Sequence, residues 1–192
     1  SLESYRLTML NAQNGIPDRP GVVHETSFVG PGMRRSPRLT YVPARLSLVP
    51  QLFRTSLPPD LVVVQTSMPY QGTVSLGTEV NVLPAAIEVA RSRGGLVVAQ
   101  VNPRMPFTFG DAVIPADQVD YGIEVDQPLP SPPAAVIEDA ALQIGELVAA
   151  RVVDGSTLQL GIGAIPDAAL RGLEGRRDLR IWSEMISDGV LA

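Results

Sequence analysis

Two short segments hold the residues best suited to chemistry. They are Gly161-Ile-Gly163-Ala164 and, farther along, Glu184 within Trp182-Ser-Glu-Met-Ile-Ser-Asp-Gly189. Glycines let the backbone turn sharply and leave peptide N–H groups uncovered by side chains. At the start of a helix such amides favour negative charge. A carboxylate beside them suits two chemistries: holding an anionic cofactor, or stabilising the oxyanion formed when a carboxylate attacks a carbonyl. A tight turn with a solvent-exposed Glu is the plain structural alternative.

The elements around these segments must bring them together. The spacing predicts a strand over Thr157–Leu160, a helix with Pro166 at its first position, and a second strand ending on Glu184. In parallel sheets, ligands bind at the carboxyl ends of strands. A dinucleotide site also uses a glycine turn with an acid about 20 residues on. Glu184 fits that spacing, whereas Pro166 stands where the fingerprint has its third glycine.

Upstream, residues 1–60 read as irregular and rich in Pro, Gly and Arg, with one helix over Leu46–Arg54. Leu61–Gln65 and Leu96–Val101 are continuous apolar runs, the pattern of strands buried on both faces. Between them a helix is predicted over Leu83–Arg93, stopped by Gly94-Gly95. Tyr121–Val125 reads as a third, shorter strand, and Gln127–Pro133, with four prolines in seven residues, as a linker. A long amphipathic helix follows over 134–152. Strand–helix alternation of this kind means a parallel sheet. The domain reading is 1–126, a linker at 127–133, and a second unit from 134 to 192.

Composition narrows the chemistry. The 192 residues are 45% hydrophobic and 18% charged, as suits a folded α/β protein. The net charge is −5 and all 15 basic residues are Arg, which argues against broad nucleic-acid binding. There is no Cys and one His, His24, so neither a thiolate nucleophile nor a Cys- or His-rich metal site is available. No metal is expected. His24 is expected to be exposed or capping, and Arg34-Arg35 a solvated surface pair. No apolar run approaches the roughly 18–20 residues that cross a bilayer, and the first residues lack the form of a signal peptide, so a cytoplasmic location is the default expectation.

Five segments, in order, resemble the acetyl-CoA hydrolase/transferase family, most closely its 4-hydroxybutyrate CoA-transferase branch. They are Phe28–Arg34, the loop Gln65–Gly77 of form S-x-P-x-x-G-x-x-S-L-G, Val101–Pro106 with Gly110-Asp111, Val152–Thr157, and Leu158–Ala169 with Ser183–Gly189. The resemblance implies a parallel-sheet CoA-transferase-like α/β fold, with a first domain nearly complete and the opening βαβ of a second similar domain. It also implies a chain truncated at both ends relative to family members, which are roughly twice as long. Trp182 stands where His is common in the family.

What the resemblance implies chemically is CoA transfer between an acyl-CoA and a small carboxylic acid. Glu184 would be the nucleophile, and the amides of Gly161, Ile162, Gly163 and Ala164 would offer an oxyanion donor. Coenzyme A would be a substrate. The strand-end loops would line the acyl pocket through Ser67, Pro69, Gly72, Asn102 and Met105, with Asn102 and Met105 the leading contacts. Turn capping is the competing role for Ser67 and Ser75, and core packing for Met105. Homo-oligomers are expected from the resemblance. Alternatives are an acyl-CoA hydrolase of the same family, a dinucleotide-binding enzyme, and a catalytically incomplete fragment or subunit.

Overall fold

The computed structural model describes residues 2–131 and 136–191, which divide into two units, Ser1–Leu129 and Pro130–Ala192. The proline-rich stretch at 127–133 and the start of the helix predicted at 134–152 fall partly outside the described residues.

The larger unit is built on a parallel sheet of three strands, β4 (Leu61–Thr66), β6 (Leu96–Val101) and β8 (Tyr121–Glu124), in the order β4-β6-β8. Val62 pairs with Val97 and Val98 with Tyr121. The connection from β4 to β6 carries α2 (Leu83–Ser92), close to its predicted span. Ala86, Ile87, Val89 and Ala90 of α2 pack with Val62, Val64, Val97 and Ala99 and with Val49 and Phe53 of α1 (Val49–Arg54). Burying each of the Val, Ile and Phe side chains among these stabilises by about 1.5–3 kcal/mol. The expectation that β4 and β6 are buried on both faces is corrected. Burial alternates along them, and Leu61, Val63 and Leu96 are exposed. Helices cover only one face of this sheet within the unit.

Asp120 sets where β8 begins. Its carboxylate accepts the Val97 N–H (2.7 Å) and a guanidinium N–H of Arg91 at the end of α2 (2.7 Å). The Val97 amide, with help from Arg91, holds this carboxyl below the usual carboxylate range.

The first 60 residues are not irregular. They contain a second parallel sheet, β1 (Tyr5–Thr8), β2 (Val22–Thr26) and β3 (Leu39–Tyr41), with β2 central. Gly30 and Gly32 let the chain lie directly on residues 11–13: a side chain at Gly32 would meet the Gln13 carbonyl oxygen at 1.9 Å. His24, expected to be exposed or capping, is fully buried in β2. Its Nε2 donates to the Pro17 carbonyl at 2.8 Å, while Nδ1 has no partner. Glu25 beside it is buried and accepts two bonds from Arg6. Arg34 and Arg35 are exposed, and Arg34 donates to the Val29 carbonyl.

The smaller unit pairs β9 (Thr157–Leu158) in parallel with β10 (Arg180–Ile181), with α3 (Asp139–Ala149) and α4 (Ala164–Arg171) packed on each other. Small residues make that contact. Ala141, Gly145 and Ala149, one helical turn apart, are the buried residues of α3. A Cβ on Gly145 would come within 2.6 Å of Ala168 backbone. Helix α3 is shorter than predicted because Glu138, its N-cap, is extended and Asp139 opens the first turn.

Candidate functional site

In the larger unit, both motif loops leave the carboxyl end of the same sheet, one after β4 and one after β6. A short antiparallel ladder, β5 (Thr73–Ser75) with β7 (Val113–Pro115), zips them together. Gln71 and Gly72, both at positive φ (49° and 76°), form the two-residue turn between Tyr70 and Thr73. That backbone is the hairpin turn whose twist matches the strands, and it favours Gly.

Four of the side chains named from the loop motifs, Ser67, Ser75, Asn102 and Met105, are buried. The Ser67 hydroxyl accepts the Ser75 N–H (3.0 Å) and donates to the Met68 carbonyl (2.9 Å). Ser75 Oγ donates to the Thr108 carbonyl and accepts the Gly77 and Thr108 amides. Asn102 is buried, with Nδ2 donating to Gln65 Oε1 and the Gln127 carbonyl at 2.8 Å each and Oδ1 accepting the Arg104 and Gln127 amides. Met105 is buried against Gly77, whose φ of +60° and lack of a Cβ let the thioether close in. Of the five loop residues proposed to meet substrate, Pro69 and Gly72 are exposed while Ser67, Asn102 and Met105 are spent on holding the loops. A shallow depression beside them is lined by Met68, Val101, Pro103, Glu124, Val125 and Asp126.

The smaller unit is organised differently. The ladder between β9 and β10 stops at Leu158, two residues short of the predicted strand, and Trp182 N–H donates to the Leu158 carbonyl. Beyond that point Ser183 takes over. Its hydroxyl accepts the Leu160 N–H (3.2 Å) and lies within hydrogen-bond reach of the Leu160 (2.9 Å) and Met185 (2.7 Å) carbonyls. The segment carrying Glu184 is thereby fastened to the residue just before Gly161.

Gly163 caps α4 at φ 123°, ψ −178°, a region essentially reserved for Gly. This starts the helix at Ala164, so Pro166 is its third residue rather than its first. No bond is lost there, because the first four helical N–H groups have no intrahelical acceptor. The amides of Gly161, Ile162 and Gly163 donate to no acceptor among the described residues, and the three residues are exposed. Glu184 lies three residues past β10 instead of at its end; it is exposed, and its carboxylate accepts no hydrogen bond among the described residues. Trp182 is 79% exposed beside it. A second tie follows Glu184: the Ser187 hydroxyl donates to Asp167 Oδ1 of α4 at 2.6 Å. Sequence reasoning named neither Ser183 nor this pair, although Ser at 183 and 187 brackets the acid in the motif itself.

A family model for the N-terminal domain of acetyl-CoA hydrolase/transferase matches residues 18–138. This chain belongs to that family. It is 42% identical to the 4-hydroxybutyrate coenzyme A transferase of Clostridium kluyveri across 88% of the chain and 39% of that protein. It is 37% identical, across the whole chain and 41% of the relative, to the succinyl-CoA:acetate/propanoyl-CoA:succinate CoA transferase of Fasciola hepatica. Among solved structures, a 4-hydroxybutyrate CoA-transferase from Porphyromonas gingivalis superposes with a TM-score of 0.70 at 38% identity, covering 88% of the chain and 44% of the neighbour. RipA from Yersinia pestis superposes at 0.77 with 27% identity, over 89% and 42%. The chain thus has the α/β architecture of CoA-transferases and spans about two fifths of the length of these relatives. Among the described residues no group of acids and His is arranged to hold a metal, and no helix is long and apolar enough to cross a membrane.

Proposed function

We propose that this protein is a CoA-transferase that moves CoA between an acyl-CoA and a small carboxylic acid through a thioester on Glu184. The observation that carries the reading is the pairing, within one unit, of uncommitted amides at 161–163 with a tethered segment whose acid is also uncommitted. That this occurs in a chain whose relatives are named CoA-transferases supports the substrate class.

The steps balance without a metal or a protein thiol. The Glu184 carboxylate attacks the thioester carbonyl, forming a C–O bond and expelling CoA thiolate to leave a mixed anhydride. The thiolate attacks the glutamyl carbonyl, forming the glutamyl-CoA thioester and releasing the first acid. An incoming carboxylate reverses the sequence and leaves with CoA. Dividing one transfer into such steps is covalent catalysis. A carboxylate is a weak nucleophile, so the gain comes from position and from donors aimed at the oxyanion; losing one such donor typically costs about 10²–10³ in rate. The amides of Gly161–Ala164 serve as a donor set in this proposal. A hydrolase would differ only in admitting water to the same thioester, and no observation favours it.

The test is direct. Full-length protein incubated with an acyl-CoA and quenched should carry a CoA-sized mass on the peptide containing Glu184. Transfer activity retained in full by Glu184→Ala would overturn the mechanism.

A further inference from the structure

The segment around Glu184 is fixed at both ends by side chains that take no part in the chemistry proposed above. Before the acid, Ser183 Oγ is bonded at Leu160 and Met185. After it, Ser187 Oγ is bonded to Asp167 in the first turn of α4. Both anchors, Leu160 and Asp167, flank the turn at 161–163 whose amides are free. The two ties therefore fix the acid-bearing segment to the two sides of one turn, while the Glu184 carboxylate itself accepts no hydrogen bond among the described residues.

Resting on the glutamyl-thioester reading, we infer that Ser183 and the Asp167–Ser187 pair are positioning residues that set the place of Glu184 relative to the turn amides. The hydroxyl of Ser183 has one proton, so it donates to Leu160 or Met185 in turn while accepting the Leu160 N–H, and this ties strand end and acid segment together. Small displacements of a reacting group cost large factors in rate: about 10²-fold for roughly 1 Å. The ties act on the acid, not on the bound thioester, so their loss should fall on turnover and leave substrate affinity alone.

The experiment measures steady-state transfer and the rate of the covalent CoA adduct for full-length protein carrying Ser183→Ala, Ser183→Thr, Asp167→Ala, Asp167→Asn and Glu184→Gln. Ser183→Ala is expected to lower kcat and adduct formation by about 10²-fold with KM changed less than about threefold. Ser183→Thr, which keeps the hydroxyl, should restore most of the rate. Asp167→Ala should fall by a smaller factor, about tenfold, and Asp167→Asn, still able to accept the Ser187 proton, should recover. Wild-type kcat in both alanine variants, or a loss that Thr and Asn fail to rescue, would overturn the positioning role. If Ser183→Ala does not fold, the Asp167 pair decides, being an exchange at a partly exposed site. Full activity in Glu184→Gln would instead sink the underlying reading, whatever the Ser183 and Asp167 variants do.

Discussion

The two units treat their motifs in opposite ways. In the larger one, the residues that make the family loops distinctive are used up internally: Ser67, Ser75 and Asn102 have bonded polar atoms, and Gly77 exists to admit Met105. In the smaller one, the amides at 161–163 and the Glu184 carboxylate are left without partners. A polar group withheld from water and from partners costs about 1–3 kcal/mol; an exposed free group costs little and keeps its capacity for a ligand. A motif by itself does not separate support from chemistry, whereas the state of its hydrogen-bonding groups does.

Substitutions can break this contrast, and the largest expected effect is at Glu184. Glu184→Gln removes the nucleophile and keeps the shape. Transfer should fall by at least about 10⁴-fold, the scale seen when a catalytic nucleophile is deleted. Because the side chain is exposed and unbonded, the melting temperature should not move. A clear drop in melting temperature would place Glu184 in the supporting class with Asn102.

Asn102→Ala should show the reverse signature. It removes the four hydrogen bonds of a buried side chain, to the Gln65 side chain and the Gln127 carbonyl and from the Arg104 and Gln127 amides. A loss of about 2–3 kcal/mol is expected, read by urea denaturation. An unchanged midpoint would mean that water replaces all four bonds.

A pair of glycines sharpens the distinction. Gly77→Ala places a Cβ 2.1 Å from the Met105 sulfur at a φ of +60°, so it should destabilise by about 1–3 kcal/mol. Gly161→Ala meets only ordinary contact, 3.6 Å to Pro166 Cγ, and should melt as wild type. Equal melting temperatures for the two variants would erase the difference drawn here.

How legible this was follows from the same physics. Strands β4 and β6 and helix α2 were readable because long apolar runs and helical spacing are local signals. The sheet β1-β2-β3 was not, because its strands of three to five residues mix His24, Glu25 and Thr26 into the buried face. Nor was the buried His24, whose partner is a backbone carbonyl seven residues away. The antiparallel ladder β5–β7 joins segments about 40 residues apart, a pairing that no local pattern encodes. At the site, the glycine turn and Glu184 were visible as types and spacing. The helix start was misplaced by two residues because Gly163, and not Pro166, sets the cap. The Ser183 and Asp167–Ser187 ties were invisible because Ser is common, and what a hydroxyl touches is decided by the folded chain and not by its neighbours in sequence.

The smallest effect concerns pH and again separates the units. The two carboxyls held below the usual range, Asp18 by Arg38 and Asp120 by the Val97 amide and then Arg91, both belong to the larger unit. A depressed folded pKa means that the folded chain binds fewer protons than the unfolded one in the acid range, so stability falls as pH falls. The contribution is complete above the unfolded value, 3.8, and is lost as pH drops from there through the lower folded value. Both groups lie at the surface, where salt screens such pairs, so the change should be modest and smaller at high ionic strength. Denaturation midpoints followed from neutral pH to about pH 3 should therefore decline for wild type and decline less for Asp120→Asn. Asn keeps one acceptor for the Val97 N–H and gives up the charge toward Arg91. A wild-type and a variant curve that run parallel through this range would remove Asp120 as the acid-sensitive fastening between α2, β6 and β8.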